Sequence, residues 1–389
     1  MQKKSSHLSY QTKKSQKLQT RKNRLKAEWE KQRAILLSFP HENSDWASHI
    51  DEARACFVEI IKAITQFEKV IICLDTQDLQ GFAFLQNEFA SDFAKSTTKN
   101  FHTLSFSTLK LSQSITIAFV PTNDTWARDF GVITLSSQSP KKPPKNVLLN
   151  FCFNGWGLKY SANFDNQINA NLKKMKILKD TMRTIDFVLE GGSIDTDGAG
   201  TLLTTSACLL EPNRNPSLSK SQIQSKLKKT LGISRVLWVD FGYLRGDDTD
   251  SHIDMLARFV DRQTIAYVGC DDINDEHYEE LAKMQAQLKS FRQKNGKPYK
   301  LIRLPFVSAI YESSDDSASG DKKERLPASY ANFLFVNGGL LVPTYDDKND
   351  KKAIEILSNA LPHLRVVGVN ARTLIKWHGS LHCITMQLY

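Results

Sequence analysis

The chain has 389 residues, 41% of them hydrophobic and 24% charged, enough for a large core built as two domains or as one large closed architecture. Its net charge of +10 is local: residues 1–26 hold nine Lys or Arg and no acid, which leaves 43 basic against 42 acidic residues in the body. A nearly neutral body is a poor nucleic-acid binder, so any contact with RNA or an acidic surface is confined to a basic, disordered tail over residues 1–24.

In chain order, "MQKKSSHLSY" lacks the hydrophobic stretch of a secretory signal, and no later apolar run is long enough to cross a membrane. The six cysteines, at 56, 73, 152, 208, 270 and 383, have no Cys-x-x-Cys spacing. Free thiols in a cytoplasmic protein are therefore expected, rather than a disulfide framework or a zinc site. "RAILLSFP" reads as a buried strand. From Asn43 or Ser44 as N-cap, Trp46, Ile50, Ala53, Phe57, Ile61 and Ile64 recur at three- and four-residue steps, predicting a helix. "KVIICL" follows as a strand. Three hairpins are predicted beyond it: "FVLEGGSIDTDGAGTLLTTS", "HIDMLARFVDRQTIAYVGC" and "NFLFVNGGLLVPTYDD", turning at Asp197-Gly198, Asp261-Arg262-Gln263 and Asn337-Gly338-Gly339. Helices are expected at about 166–180, 218–230, 274–292 and 347–360, and "ESSDDSASGDKKE", 312–324, reads as a mobile surface loop. Hairpin-plus-helix units in series predict an α/β protein arranged around a common axis, with residues 25–389 as a single domain.

Four stretches carry candidate chemistry. "TWARDFG" sets Trp126 near Asp129 at a strand start; a core Trp and an Arg128–Asp129 surface pair would also account for it. In "LEGGSIDTDG", Glu190 precedes two glycines that allow another group to come close, or is an ordinary strand-end carboxylate. In "DDTDSHID", a strand would put His252 and Asp254 on one face, where they need partners if buried. A structural hydrogen bond would meet that need. The chain offers no convincing set of further metal ligands. Last comes "HGSLHC". In an extended segment His382 and Cys383 face opposite ways, which makes His382 a poor base for the thiol. A thiol, an imidazole and several carboxylates together suit a guanidinium substrate. Carboxylates grip its planar fork of donors, and its unreactive carbon needs a strong nucleophile.

At these stretches the sequence resembles the agmatine deiminase (agmatine iminohydrolase) family of the guanidine-group-modifying, or pentein, superfamily. The resemblance runs from about residue 24 to the end, through "RLKAEWEKQRAILLSFPHENSDW", "NDTWARDFG", "FNGWGLKY", "LEGGSIDTDGAGTLLTT", "SHIDMLARF", "LPASYANFLFVNGGLLVPTYDD" and "HGSLHCIT". It implies a five-bladed α/β propeller of pseudo-fivefold ββαβ-type repeats around a central active site. It also implies hydrolysis of agmatine to N-carbamoylputrescine and ammonia, a step in putrescine synthesis, without metal or organic cofactor. Cys383 would then be the nucleophile and His252 the proton donor and acceptor. Asp129 and Asp254 would hold the guanidinium, and Glu190 would bind it or orient His252. Trp126 would wall the substrate's aliphatic chain, or simply pack in the core. Two departures stand out: His378-Gly379-Ser380 where many members carry a glycine run, and Val132 where they often carry Pro. The alternatives are a bacterial-type peptidylarginine deiminase and a non-enzymatic binding protein using the tail. Homo-oligomerisation is left open.

Overall fold

The computed structural model describes residues 22–95, 107–139, 142–311 and 324–389; most of the predicted tail and the 312–323 part of the predicted loop lie outside them. Among the described residues the strands form five sheets, each mixing antiparallel and parallel pairs. The chain is an α/β protein, and one unit recurs: an antiparallel strand pair, a helix, and a third strand parallel to the second. A parallel return needs a crossover, and an amphipathic helix supplies it while covering the sheet.

The first unit is Ile133–Ser139, Lys142–Cys152, the helix Ile168–Lys174 and Thr181–Val188. The second is Ile194–Thr196, Thr201–Thr205, the helix Lys220–Leu231 and Arg235–Val239. The third is Ala257–Phe259, Thr264–Val268, the helix Tyr278–Ser290 and Lys300–Leu304. The fourth is Leu334–Val336, Gly339–Thr344, the helix Asp350–Ala360 and Arg365–Asn370. The fifth is assembled from both ends of the chain. Ala34–Ser38, the helix Ile50–Thr65 and Lys69–Leu74 come early. Its antiparallel strand, Thr385–Leu388, comes last and pairs Thr385 with Leu37 and Leu388 with Ala34.

Local sequence explains these elements. Every residue of Ala34–Ser38 is buried, as expected of a strand flanked on both sides. Ser219 and Gln222 cap the second unit's helix reciprocally, and Gly232 ends it at φ +67°. Ile223, Leu227 and Leu231 form its buried stripe.

Four departures from the sequence reading concern the elements of the fold. The first helix opens with a tighter turn, Asp45–His49, and the Ser44 hydroxyl donates to the His41 carbonyl instead of capping. The helix predicted at 166–180 stops at Lys174, because Lys176 turns at φ +63°. "FVLE" is not half of the hairpin with 201–205: Thr181–Val188 belongs to the first sheet, and Glu190 lies at the joint between two sheets. Finally, Lys22–Leu25, mostly assigned to the tail, is a strand paired with Leu135–Gln138. Among the described residues, no helix is long and apolar enough to cross a membrane.

Candidate active site

Five segments converge, and each lies just ahead of the first strand of a unit. Asp129 sits in the one-turn helix Ala127–Phe130 before Ile133. Glu190 and Gly192 precede Ile194. His252 and Asp254 precede Ala257. Asn332 precedes Leu334, and Cys383 precedes Thr385.

None of these short segments is a strand, so the face-sharing argument for His252 and Asp254 fails: Ile253–Met255 is a 3-10 turn. The two side chains meet nonetheless, through Gly192. A Cβ there would lie 2.6 Å from His252 Nδ1, 2.9 Å from Asp129 Oδ1 and 3.2 Å from Asp254 Oδ2. Only a bare backbone leaves room for all three groups. His252 is set by a strained turn in which Asp250 takes φ +65° and Ser251 φ +63°. Asp247 pins that turn by accepting from the Thr249 and Ser251 N–H groups at 3.0 and 2.7 Å.

Asp129 accepts from the Gly192 N–H and from Trp156 Nε1, both at 2.9 Å. Burial pushes its carboxyl up to about 6; Asp254 and Glu190 add to that and His252 opposes it. Burial works against a charged His252, yet the charge of Asp129, at 3.7 Å, together with Cys208 and Glu190, carries its pKa well above the usual imidazole range. Glu190 is fully buried; desolvation opposes its ionisation, but the His252 contact and Arg214, at 2.8 Å, hold it below the usual carboxylate range. Arg214 in turn is fixed by Asp250 at 2.7 Å and the Thr249 carbonyl at 3.0 Å.

Cys383 is buried, and burial followed by the charges of Asp254 and Asp129 pushes its thiol well up. Its Sγ lies 3.8 Å from Asp254 Oδ2 and 3.3 Å from the Asn332 side-chain amide. Asn332 Oδ1 also accepts the His382 N–H at 2.7 Å and the Cys383 N–H at 3.4 Å, so one amide fixes the whole turn. The terminal His–Cys pair is a turn rather than an extended segment, and the two side chains do not diverge: His382 Nδ1 meets the same Asp254 oxygen at 2.7 Å. His382 still makes a poor base for the thiol, because its Nε2 is spent on Glu28 at 2.6 Å. Burial beside Arg128 and Arg258 works against a charged ring. Yet two carboxylate oxygens at these distances are both satisfied only when each ring nitrogen carries a proton. Behind it Glu28 is paired with Arg128 at 3.0 Å and with Arg258, and is held strongly ionised: burial opposes its charge, but Arg258, His382 and Arg128 prevail.

These groups end a cleft that encloses about 520 Å³, part of it open to solvent. Its lining includes the buried Cys383, His252, Asp129, Trp126 and Trp156, the half-buried Asp124, Asp247, Asp248 and His378, and the exposed Asp45. Trp126 lines the cleft and also packs in the core, its ring 5.9 Å from that of Trp46. Its Nε1 donates to Asp124 at 3.1 Å, and Gly379 packs so closely against its ring that a Cβ there would collide with Cζ3. His378 takes φ +64° at the cleft, whereas Ser380 points away into the core to meet the Tyr345 hydroxyl at 2.7 Å. All six sequence-predicted residues are therefore brought to one place. Asn332, Trp156, Arg214 and Glu28 were not singled out from sequence. Trp156 had a signal in its setting between two glycines, all three residues turning at positive φ.

The model of the Porphyromonas-type peptidyl-arginine deiminase family matches residues 24–388. The agmatine deiminase of Medicago truncatula is 33% identical over 381 residues, covering 93% of this chain and 95% of the relative. A solved structure of the C. jejuni agmatine deiminase, a cysteine-to-serine variant with substrate bound, is 36% identical with a TM-score of 0.81, covering 97% and 99%. Another, described provisionally as a peptidyl-arginine deiminase, is 48% identical with a TM-score of 0.83, covering 95% and 99%. With a family match over almost the full length and these near full-length relatives, the chain belongs to the Porphyromonas-type peptidyl-arginine deiminase family.

Proposed function

We propose that the protein is an agmatine deiminase, hydrolysing agmatine to N-carbamoylputrescine and ammonia. The observation that carries this reading is an acidic cleft: a buried thiol and the buried Asp129 share its lining with four less buried aspartates, Asp45, Asp124, Asp247 and Asp248. A guanidinium held at the depth by Asp129 and Asp254 leaves the distal ammonium of agmatine among Asp124, Asp248 and Asp45. An α-carboxylate, as in free arginine, would meet like charge there. Trp126 then lies along the methylene chain. We also infer that the five units close round one axis as a five-bladed α/β propeller. Five sheets, each offering the segment ahead of its first strand to one site, support that arrangement.

In this mechanism Asp129 and Asp254 accept hydrogen bonds from the guanidinium nitrogens, and the bound cation favours the Cys383 thiolate that burial alone disfavours. Sγ bonds to the guanidinium carbon. His252, held protonated by its carboxylate neighbours, delivers its proton to the departing nitrogen, and ammonia leaves as the C–N bond breaks. His252, now neutral, takes a proton from water. The hydroxide adds to the amidino carbon, the C–S bond breaks to release the thiolate, and the proton left on the product oxygen passes to solvent to give the neutral ureido product. Glu190, locked by Arg214, orients His252. Nothing in these steps calls for a metal or organic cofactor.

Ammonia release from agmatine, free arginine and an arginyl peptide, measured side by side with a Cys383→Ala control, tests the reading. Selective, Cys383-dependent turnover of agmatine is the expected result. Turnover of the peptide instead would select the second reading, peptidyl-arginine deimination, which the family's description and the 48%-identical structure favour. Residues 1–24 are proposed to take no part in the chemistry, and deleting residues 1–21 should leave turnover unchanged.

A further inference from the structure

His252 has a ring nitrogen, Nε2, that is buried without a hydrogen-bond partner. It lies 3.6 Å from Glu190 Oε2, and the thiol of Cys208 lies 3.7 Å from the same oxygen. The three potential donor atoms fall within 4.8 Å of one another, and all three residues are buried. Cys208 is set by the short helix Ser206–Leu209, where Thr205 Oγ1 accepts its N–H at 3.3 Å. The proposed deimination has no use for this thiol. Imidazole, thiolate and carboxylate are the donor set of zinc, whose bond lengths of about 2.0–2.3 Å separate tetrahedral ligand atoms by roughly 3.3–3.6 Å. The two separations from Glu190, 3.6 and 3.7 Å, need only a few tenths of an ångström of adjustment.

We propose that Glu190, Cys208 and His252 form an inhibitory site for a thiophilic divalent cation such as Zn2+, entered from the cleft that His252 lines. Arg214 is the neighbouring cation that could oppose a metal. It is surrounded, however, by Glu190 at 2.8 Å, Asp250 at 2.7 Å and Glu211 at 3.4 Å, and Asp129 lies 3.7 Å from His252 on the other side. The surroundings therefore stay negative. Binding displaces the thiol proton and the proton on His252 Nε2, and the metal takes the place of both. With Nε2 held by the cation, the ring would have to become an imidazolate to give up the proton on Nδ1, the nitrogen 3.7 Å from Asp129, so His252 can no longer cycle between giving a proton to the leaving nitrogen and taking one from water. That inhibitory consequence rests on the role proposed for His252; the binding itself does not.

Two measurements separate the two parts. The full chain carrying Cys383→Ser, titrated with Co2+, is expected to develop thiolate-to-cobalt charge-transfer absorption that saturates at one equivalent and is displaced by Zn2+. Adding Cys208→Ala should abolish that band. In the active chain, Zn2+ is expected to stop ammonia release, a chelator to restore it, and Cys208→Ala to raise the inhibitory concentration at least tenfold. Cys208→Ser, which keeps the volume and is a poor soft ligand, gives the same comparison if the alanine variant does not fold. A cobalt band that survives loss of Cys208, or equal zinc sensitivity of the Cys208 variants, would put the metal elsewhere, on Cys383 first, and overturn the proposal. A Cys208-dependent band without inhibition would uphold the site and refute the proton-transfer role of His252.

Discussion

The two sides of Asp254 differ in how their polar atoms are used. Asp254 Oδ1 and, across the site, His252 Nε2 are buried without hydrogen-bond partners. Toward the interior, Asp254 Oδ2 meets His382, His382 meets Glu28, and both Glu28 oxygens are paired with arginines. An unpaired polar atom in a dry place costs free energy, so these two atoms are bonds waiting for a charged ligand. The interior side is a finished network whose effect is to hold the carboxylate in one orientation. Ligand specificity belongs to the first side, and rigidity to the second.

The largest expected break between the two comes from His252→Gln. Turnover of agmatine should fall by about 10²–10⁴-fold, the range for removing a general acid and base, with the unfolding temperature little changed. A stability loss as large as the activity loss would erase the distinction. The reverse pattern is expected of Glu28→Gln. Removing its charge leaves Arg128 and Arg258, which are 4% and 1% exposed, without their shared counter-charge. Breaking such a buried pair typically costs about 3–5 kcal/mol. Urea unfolding should show that loss, and agmatine KM should rise more than kcat falls as Asp254 loses its fixed direction. An undiminished midpoint with a lower kcat would mean that Glu28 acts in the chemistry itself.

The smallest effect concerns pH. Burial raises Asp129 to about 6 in the free protein, and only its ionised form attracts a guanidinium. kcat/KM for agmatine should therefore fall as pH drops through about 6. Each further unit costs up to about tenfold from this one group. The same raised value means that ionised Asp129 opposes folding. In the free protein its favourable contribution is present at low pH and fades as pH climbs through about 6, and the bound cation removes the penalty. A profile flat from about pH 5 to 7 would contradict the assignment.

Much of this site is legible in the sequence because its reactive residue types stand in short, motif-rich stretches. The units are legible because glycine turns and helical periodicity punctuate them. What is not legible has a common cause. Asp129, Glu190, His252, Asn332 and Cys383 all sit in the short irregular joints ahead of strands, where neither period 2 nor period 3.6 applies. A strand reading of "HID" predicts a convergence that the joint achieves differently, through a turn and a bare Gly192. Asn332 escapes notice because an amide in an apolar strand approach looks like packing. Its place before the first strand of the fourth unit, matching Cys383 before the fifth, is the available signal. Arg214 and Glu28 reach the site from 24 and 100 or more residues away in sequence, and only the fold brings those charges together.

The pairing of Thr385–Leu388 with Ala34–Ser38 has a kinetic consequence. Joining segments at opposite ends of the described chain forfeits chain entropy before any contact repays it, so this clasp is expected to form late in folding. The Cys383 turn is held by that clasp and by Asn332, and a partly folded chain therefore carries its sulfur without the carboxylates and imidazole that would make it selective. Recovered activity on refolding should consequently trail recovered helix content, which makes the enzyme a reporter of its own last folding step.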